Sequence, residues 1–214
     1  KVISRCLEKD RERRFPSMDD VVPHLAEAKK SASRQERDTR QASVAVLPFV
    51  NISSDQENEY FSDGLAEELV NSLSRIEGLH VVSRTSSFSF KGKNLDIRQI
   101  AEKLNVGNVL EGSVRKSGNK LRITAQLIKA SNGYHLYAET FDRELKDVFE
   151  IQNEIALSIA KVLRPVLTSK DKISLSRSPA ADAEAYDFCL RGRQAFYLMQ
   201  RTGFERALKL FRHA

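Results

Sequence analysis

The chain has 214 residues, enough for one complete domain and parts of others at the usual ~100–200 residues per domain. Hydrophobic residues make up 41% and charged residues 30% of the sequence, which is ordinary for a globular protein and excludes a collagen-like or disordered chain. The net charge of +6 comes from 35 basic and 29 acidic residues mixed along the chain, so a nucleic-acid partner is not expected. No apolar run approaches the ~18 residues of a membrane span. The sequence begins at Lys1 rather than Met, and we expect it to be part of a longer protein.

Residues with catalytic or metal-binding potential form no recognisable site. Cys6 and Cys189 make neither a metal pair nor a disulfide framework, so both are predicted to be buried small side chains of a cytoplasmic protein. The histidines lack metal-ligand spacing, and His80 is expected to be buried in a strand. Nucleophile elbows and phosphate loops are missing too. We therefore expect no catalytic residue, cofactor site or metal site in this chain.

The first part of the chain indicates helices followed by a linker. Residues 1–28 have helical patterning with a polar break, and Ser17 is predicted to cap a helix with Asp20 three residues later. Pro23 should kink or weaken that helix. Residues 29–43 are charged and rich in Ser and Gln, which is typical of a linker.

Residues 44–166 alternate strand and helix signals. Ser43–Phe49 reads as a buried strand, and a helix capped by Ser62 or Asp63 follows and ends at Gly78. A second strand is predicted at Leu79–Val82. Ser- and Gly-rich residues then lead to a short helix capped by Asp96.

Three strands in a meander and one long helix complete this segment. The strands are predicted at Asn108–Ser117, Lys120–Lys129 and Tyr134–Phe141, with Gly118-Asn119 and Asn132-Gly133 as turns. The last helix runs from Val148 to Pro165. The order β-α-β-α-β-β-β-α predicts an α/β (α+β) domain with a mixed sheet and flanking helices. Tyr134, Tyr137, Phe141 and Arg122 are candidates for an exposed base-stacking face, although packing under a helix is the favoured interpretation.

The stretch from Ser43 to Leu163 resembles the TolB amino-terminal-like domain. The matching blocks include Phe61–Leu69, Val109–Val114 and Ala138–Arg143. The resemblance implies no enzyme activity and a role in sensing or protein contact.

Residues Cys6–Phe15 resemble the end of a protein-kinase C-lobe, with Asp10 and Arg14 at its motif positions. Arg11 stands where the family usually has proline. The resemblance implies a serine/threonine kinase parent that uses ATP and Mg. Because the Gly-rich loop, strand lysine, catalytic loop and Asp-Phe-Gly are missing from this chain, it is not expected to catalyse phosphoryl transfer.

A second linker, residues 167–182, precedes helical residues 183–214, which are similar to a first tetratricopeptide repeat. The packing positions carried over are Ala195, Ala207, Phe211 and Ala214, and Tyr186 and Leu190 continue the apolar face. The alternative is an ordinary amphipathic hairpin. A single repeat lacks the neighbours that stabilise such arrays, so we expect it to pack on the α/β domain or to fray.

Three functional hypotheses remain open from the sequence. The first is a non-catalytic sensing and interaction region of a bacterial serine/threonine kinase, whose partners are other proteins or other domains of the same parent. The second is the effector region of a winged-helix DNA-binding transcription regulator. The third is the corresponding region of an adenylate cyclase.

Overall fold

A computed structural model of the chain describes residues 2–164, 171, 182–197 and 199–214. The chain divides into two compact units, Lys1–Arg40 and Gln41–Ala214. Among the described residues, no helix combines the length and apolarity needed to cross a bilayer.

The first unit is helical. Helix α1 (Val2–Cys6) is followed by a 3-10 turn (Arg11–Arg13) and helix α2 (Met18–Gln41). The predicted cap is confirmed, because the Ser17 hydroxyl donates to Asp20 Oδ2 at 2.8 Å and the Ser17 amide donates to the same oxygen at 3.1 Å. The prediction that Cys6 is buried is wrong, since the five-residue α1 leaves this thiol exposed.

Helix α2 runs through Pro23 and through most of the stretch predicted as a linker. A proline in the second turn removes one hydrogen bond, to the carbonyl of Asp19, and leaves the later turns intact. Residues 29–41 continue as helix because Ala, Lys, Arg, Gln and Glu favour helix even without an apolar stripe.

The second unit is built on a mixed sheet, as predicted. Its strands are β1 (Ser43–Val46), β2 (Val50–Asn51), β3 (His80–Val81), β4 (Asn108–Ser117), β5 (Lys120–Lys129) and β6 (His135–Glu144). The spatial order is β3-β1-β4-β5-β6, with β2 paired to β4. Pairing is parallel among β1, β2, β3 and β4 and antiparallel from β4 to β6.

Two crossovers place helices on opposite faces of the sheet. Helix α3 (Glu59–Ser74) connects β1 to β3, and α4 (Arg84–Phe88) and α5 (Ile97–Leu104) connect β3 back past β1 to β4. Right-handed connections made in opposite directions put α3 and α5 on different faces. Two clusters of buried residues reflect this arrangement: one contains α3 and α6 (Val148–Leu163), and the other contains α5.

The meander was predicted almost residue by residue. Strands β4 and β5 have the predicted bounds, and Gly118 and Gly133 adopt positive φ angles of 55° and 74°. Strand β6 continues three residues beyond the predicted end, because Glu144 still pairs with Lys120.

Helix α3 begins earlier than predicted. A 3-10 turn (Gln56–Asn58) leads directly into Glu59, so Ser62 and Asp63 lie inside the helix and cap nothing. The helix ends at Ser74, and Gly78 (φ 74°) belongs to the turn after it. Ser62 is fully buried, which places it on the core side of the helix.

Two other local expectations differ from the structure. Part of the Ser- and Gly-rich segment is helix α4, because the Ser83 hydroxyl accepts the amide of Ser86 as an N-cap. The prediction that His80 is buried is wrong, because the two-residue strand β3 lies at the edge of the sheet and this side chain is exposed. Asp96, by contrast, caps α5 as predicted, by accepting the amide of Arg98.

The aromatic residues of β6 do not form the base-stacking face considered above. Phe141 and Tyr137 face the main core, and only 2% of the Phe141 surface is exposed. Arg122 lies on the opposite face of the sheet, where Asp142 accepts a bond from its Nε at 2.6 Å. Packing beneath a helix, the favoured interpretation, is therefore confirmed for Phe141.

The second unit ends in a helical hairpin, α7 (Ala183–Tyr197) and α8 (Arg201–Phe211). Of the predicted linker 167–182, the described residues are Asp171 and Asp182. Asp171 is buried, and its Oδ1 accepts the amide of Glu77 at 3.4 Å. The other residues of that prediction lie outside the described part of the chain.

Candidate functional site

The second unit contains a junction at which helix α7 joins the α/β layers. Tyr186 and Leu190 of α7 belong to the main core cluster, with 7% and 2% of their surfaces exposed. The Tyr186 ring meets Phe149 of α6 edge-on at a centroid distance of 4.8 Å and Phe61 of α3 at 6.4 Å. The helix therefore completes the hydrophobic core instead of resting on its surface.

A glycine makes this close approach feasible. A Cβ atom at Gly64 of α3 would lie 2.4 Å from Cδ2 of Leu190, well inside van der Waals contact. A side chain at this position would force Leu190 to move.

One polar atom at the centre of the junction is satisfied by a specific partner. Gln152 of α6 donates from Nε2 to the Tyr186 hydroxyl at 2.7 Å. Burial raises the pKa of Tyr186 strongly, so this phenol stays neutral.

A charged cluster seals one side of the junction. The Lys116 ammonium of β4 donates to Asp187 Oδ1 of α7 at 2.6 Å and to the Tyr60 hydroxyl at 3.0 Å. Tyr60 also donates to Asp187, and Arg191 Nε lies 2.8 Å from Asp187 Oδ2. The side chains of Lys116 and Asp187 are only 10% and 15% exposed, so the pair is largely desolvated.

The protonation of this cluster follows from its contacts. Burial raises the pKa of Asp187, but the ammonium of Lys116 and the hydroxyl of Tyr60 outweigh burial and hold the pKa below its usual range. Burial and the Asp187 carboxylate together raise the pKa of Tyr60. Asp187 is therefore a carboxylate and Tyr60 a neutral phenol near neutral pH.

A second set of contacts ties the far end of α7 to α3. Arg193 lies 2.6 Å from Glu68 Oε1, and Arg84 Nε lies 3.0 Å from Glu67 Oε2. The Arg84 guanidinium is sandwiched between the rings of Phe88 and Tyr197, 4.1 Å from each centroid. The hairpin and the α/β layers are thus joined by apolar packing and by two ionic clusters.

Besides the junction, the second unit contains an open cavity of about 840 Å³ beside the sheet. Its walls come from the segment after β1, including Leu47 and Phe49, and from the segment after β3, including Phe90 and Leu95. These strands are neighbours, and their following helices lie on opposite faces. The cavity therefore lies beside the carboxyl ends of these strands, the edge at which open α/β sheets usually bind ligands.

Four polar side chains line the sheet side of this cavity. Glu111 lies opposite Gln126, and Ser113 lies opposite Thr124, on adjacent strands β4 and β5. Burial raises the pKa of Glu111, and the interaction with His135 opposes this only in part.

Two lysines lie on the loop side of the cavity and differ in their surroundings. Lys91 Nζ lies 2.6 Å from Glu59 Oε1 and 2.6 Å from Asp63 Oδ2, so its charge is balanced. Lys93 lies over the Phe90 ring at 5.5 Å and has no carboxylate partner in the part of the chain that the structure describes.

The residues carried over from the kinase resemblance lie in the first unit, and those carried over from the repeat resemblance lie in or just after the hairpin. In the first unit, Asp10 Oδ2 pairs with Arg13 at 3.4 Å, and the exposed Arg14 donates to the Glu8 carbonyl at 2.6 Å. In the hairpin, Ala195 and Ala207 are buried, Ala214 is exposed, and Phe211 is 42% exposed with its ring against Gly192.

Of the junction residues, Tyr186 and Leu190 were predicted on the apolar face of the hairpin, whereas Lys116, Asp187 and Glu111 were not singled out from the sequence. One usable signal was Glu111, a charge within the otherwise apolar start of β4. Lys116 and Asp187 carry no such signal, because they lie 71 residues apart. No group of three metal-binding side chains occurs among the described residues.

Several solved structures are similar to this chain at low identity. TolB from Acinetobacter baumannii is 15% identical, with a TM-score of 0.43 over 59% of this chain and 29% of that chain. Lipoprotein GNA1162 from Neisseria meningitidis is 20% identical, with a TM-score of 0.41 over 48% and 80%. LpoB from E. coli is 18% identical, with a TM-score of 0.38 over 47% and 55%.

The sequence comparisons identify a relative of higher identity and a family. A protein of Rhizobium meliloti (strain 1021) named "Putative adenylate cyclase 3" is 42% identical over 187 residues, which is 87% of this chain and 30% of that protein. The chain thus spans less than a third of the length of this curated relative. Residues 40–158 match the family described as HilA/YgeH-like transcriptional regulator, second domain. This match covers more than half of the residues of the chain, so the chain belongs to the HilA/YgeH-like second-domain family.

Proposed function

We propose that this chain is the non-catalytic regulatory and protein-contact region of a multidomain bacterial signalling protein whose effector is an adenylate cyclase. The observation that carries the proposal is that one region is shared by proteins with different outputs. Residues 40–158 match a domain of transcriptional regulators, and 187 residues are 42% identical to part of a protein named as a cyclase. A region common to two unrelated outputs is better explained as controlling output than as producing it.

The junction supports a relay role for this region. Because α7 completes the core through Tyr186 and Leu190, a force or contact on the hairpin acts on the α/β layers as well. The hairpin also exposes large apolar side chains, at Phe196, Tyr197, Met199, Phe204, Leu208 and Phe211. Such a surface is typical of contact with another protein or domain. We expect that contact in the cytoplasm, with other domains of the same protein or with separate proteins.

The test compares the complete protein with the 214-residue chain alone. We expect the complete protein to convert ATP to cyclic AMP and the chain alone to form none. In the complete protein, Lys116→Met should change the rate of cyclic AMP formation, because it removes the ammonium that holds Asp187. The control Arg201→Gln alters a pair whose side chains are 93% and 64% exposed and should leave the rate unchanged.

Two outcomes would contradict this proposal. Cyclic AMP formation by the chain alone would make it catalytic. Equal rates for Lys116→Met and Arg201→Gln would remove the relay role of the junction.

A DNA-binding effector is a second candidate, favoured by the family match at residues 40–158. The complete protein would then bind duplex DNA with an affinity that falls steeply with salt. Cyclic AMP formation without DNA binding excludes this candidate.

A serine/threonine kinase is a third candidate effector. It is supported by the resemblance of Cys6–Phe15 to the end of a kinase lobe and by exposed apolar side chains in the first unit at Leu7, Met18, Val22 and Leu25. In this candidate the hairpin begins a tetratricopeptide array, and the close packing of Phe211 on Gly192 fits a repeat-like helix pair. Phosphorylation of serine or threonine by the complete protein with ATP and Mg is its test, and sequence upstream of Lys1 without a catalytic-loop aspartate would exclude it.

A further inference from the structure

The cavity at the carboxyl ends of β1 and β3 has the dimensions and the mixed lining of a small-molecule site. Its volume of about 840 Å³ lies within the ~300–1,000 Å³ range of ligand pockets. Apolar walls from Leu47, Phe90 and Leu95 face a polar floor on β4 and β5. We propose that this cavity binds a small organic cation, an amine or a guanidinium compound, through the carboxylate of Glu111.

Glu111 is the group that specifies a cation. Its carboxylate is partly buried, and among the described residues no hydrogen-bond donor or ion-pair partner contacts it; an interaction with His135 offsets its burial only in part. Carboxylates taken out of water are normally paired, because desolvation without a partner costs free energy. A cationic ligand supplies the missing partner.

The two lysines of the cavity, Lys91 and Lys93, are not the partner of Glu111. Lys91 is held by Glu59 and Asp63, 2.6 Å from an oxygen of each. Lys93 stacks on Phe90 at the loop side. Among the described residues, the cavity therefore holds a carboxylate on its sheet floor and an ammonium on its loop that form no ion pair.

The residues around Glu111 suit a group with several N–H donors. Gln126 lies directly across from it, and Ser113 is two residues along the same strand face. The Gln126 amide oxygen and the Ser113 hydroxyl oxygen can accept hydrogen bonds from those N–H groups of the ligand that the Glu111 carboxylate does not contact. The apolar walls would cover the aliphatic part of the ligand, and Lys93 would favour ligands that also carry an acid group.

The site can act on the junction through helix α3. Lys91 belongs to the loop that walls the cavity, and its partners Glu59 and Asp63 flank Tyr60, which contacts Asp187. This link is independent of the effector class, so the site remains testable whatever the output domain is.

The test is a titration of the ¹⁵N-labelled 214-residue chain with agmatine and with L-arginine, and with succinate at matched ionic strength as the anionic comparison. We expect saturable shifts of the cavity amides, including those of Leu47, Gly92 and Gly112, with both cations and not with succinate. Absence of saturable shifts with the cations, or equal shifts with succinate, would overturn the proposal.

Two matched variants make the result specific. Glu111→Gln keeps the shape of the side chain and removes its charge, and we expect it to weaken both cations at least about tenfold. Glu102→Gln changes an exposed carboxylate of α5 outside the cavity and should bind like the unaltered chain. Unchanged affinity in Glu111→Gln refutes the assignment.

Lys93→Ala should weaken the binding of L-arginine and leave the binding of agmatine unaffected, and an equal effect on both ligands removes Lys93 from the site.

Discussion

At the scale of single residues, Asp187 illustrates how a long-range polar contact is stabilised. Three donors converge on its carboxylate, from Lys116, Tyr60 and Arg191, and only 15% of its side chain is exposed. The carboxylate also stabilises Lys116, because a buried ammonium without a counter-ion is strongly unfavourable.

Asp187→Ala is therefore expected to lower the free energy of unfolding by about 3–5 kcal/mol, because it leaves Lys116 buried and unpaired. Urea unfolding near neutral pH measures the loss. Adding Lys116→Met should recover part of it, as expected for coupled residues. Glu205→Ala, in a pair that is 93% and 64% exposed, should cost less than about 1 kcal/mol. Equal losses in the two single variants would show that the buried cluster is not special.

Glu111 makes the stability of the fold depend on pH. Burial raises its pKa in the folded state, so its contribution to stability is fully present below the unfolded pKa and is lost as pH rises through the folded pKa. Glu111→Gln should accordingly raise the melting temperature near pH 7. The difference should vanish below about pH 4, where the carboxyl is protonated in both states. Melting curves at the two pH values check this, and a gain that persists in acid would contradict it.

At the scale of elements, the approach of α7 to α3 depends on the surface of α3. That helix presents Leu65, Leu69 and Leu73 to the core, and Gly64 leaves a gap that Leu190 fills. The helical spacing of the leucines could be recognised in the sequence, but the packing of Leu190 on Gly64 could not.

Gly64→Val should reduce the free energy of unfolding by about 1–3 kcal/mol, because the added side chain overlaps Leu190 in a packed interface. Asn71→Val lies on the exposed side of the same helix and reports the effect of helix propensity alone, about 0.5 kcal/mol or less. Urea unfolding of both variants gives the comparison. Similar losses would mean that the interface tolerates the extra volume.

At the scale of the whole molecule, the second unit is a single body that includes the hairpin. The main core cluster runs without interruption from the sheet through α3 and α6 to Tyr186 and Leu190. The α/β layers alone would leave the apolar faces of Phe61 and Phe149 open to solvent.

A chain that ends at Arg164 is expected to lose about 3–6 kcal/mol of unfolding free energy, since it forfeits the burial of two large side chains, Tyr186 and Leu190. A chain that ends at Met199 retains both and should lose less. Urea midpoints of the two truncations measure the difference. Equal midpoints would show that α7 contributes no more to the core than α8.

How much was predictable differs between features for a physical reason. Strands β4 and β5 were predicted with their bounds, because two glycine turns and a period of two are local signals. The start of α3 was missed, because its first turn contains no capping side chain and follows a 3-10 turn. His80 was misplaced, because burial of a strand depends on its position in the sheet and not on its composition.

The amino-acid sequence by itself determined the mixed α/β class, most elements and the cap at Asp96, because these depend on interactions between residues close along the chain. Only the tertiary structure decided that Lys116 meets Asp187, that Leu190 fills the gap at Gly64 and that Glu111 lines a cavity. Those contacts join strands and helices far apart in sequence, so no local pattern encodes them.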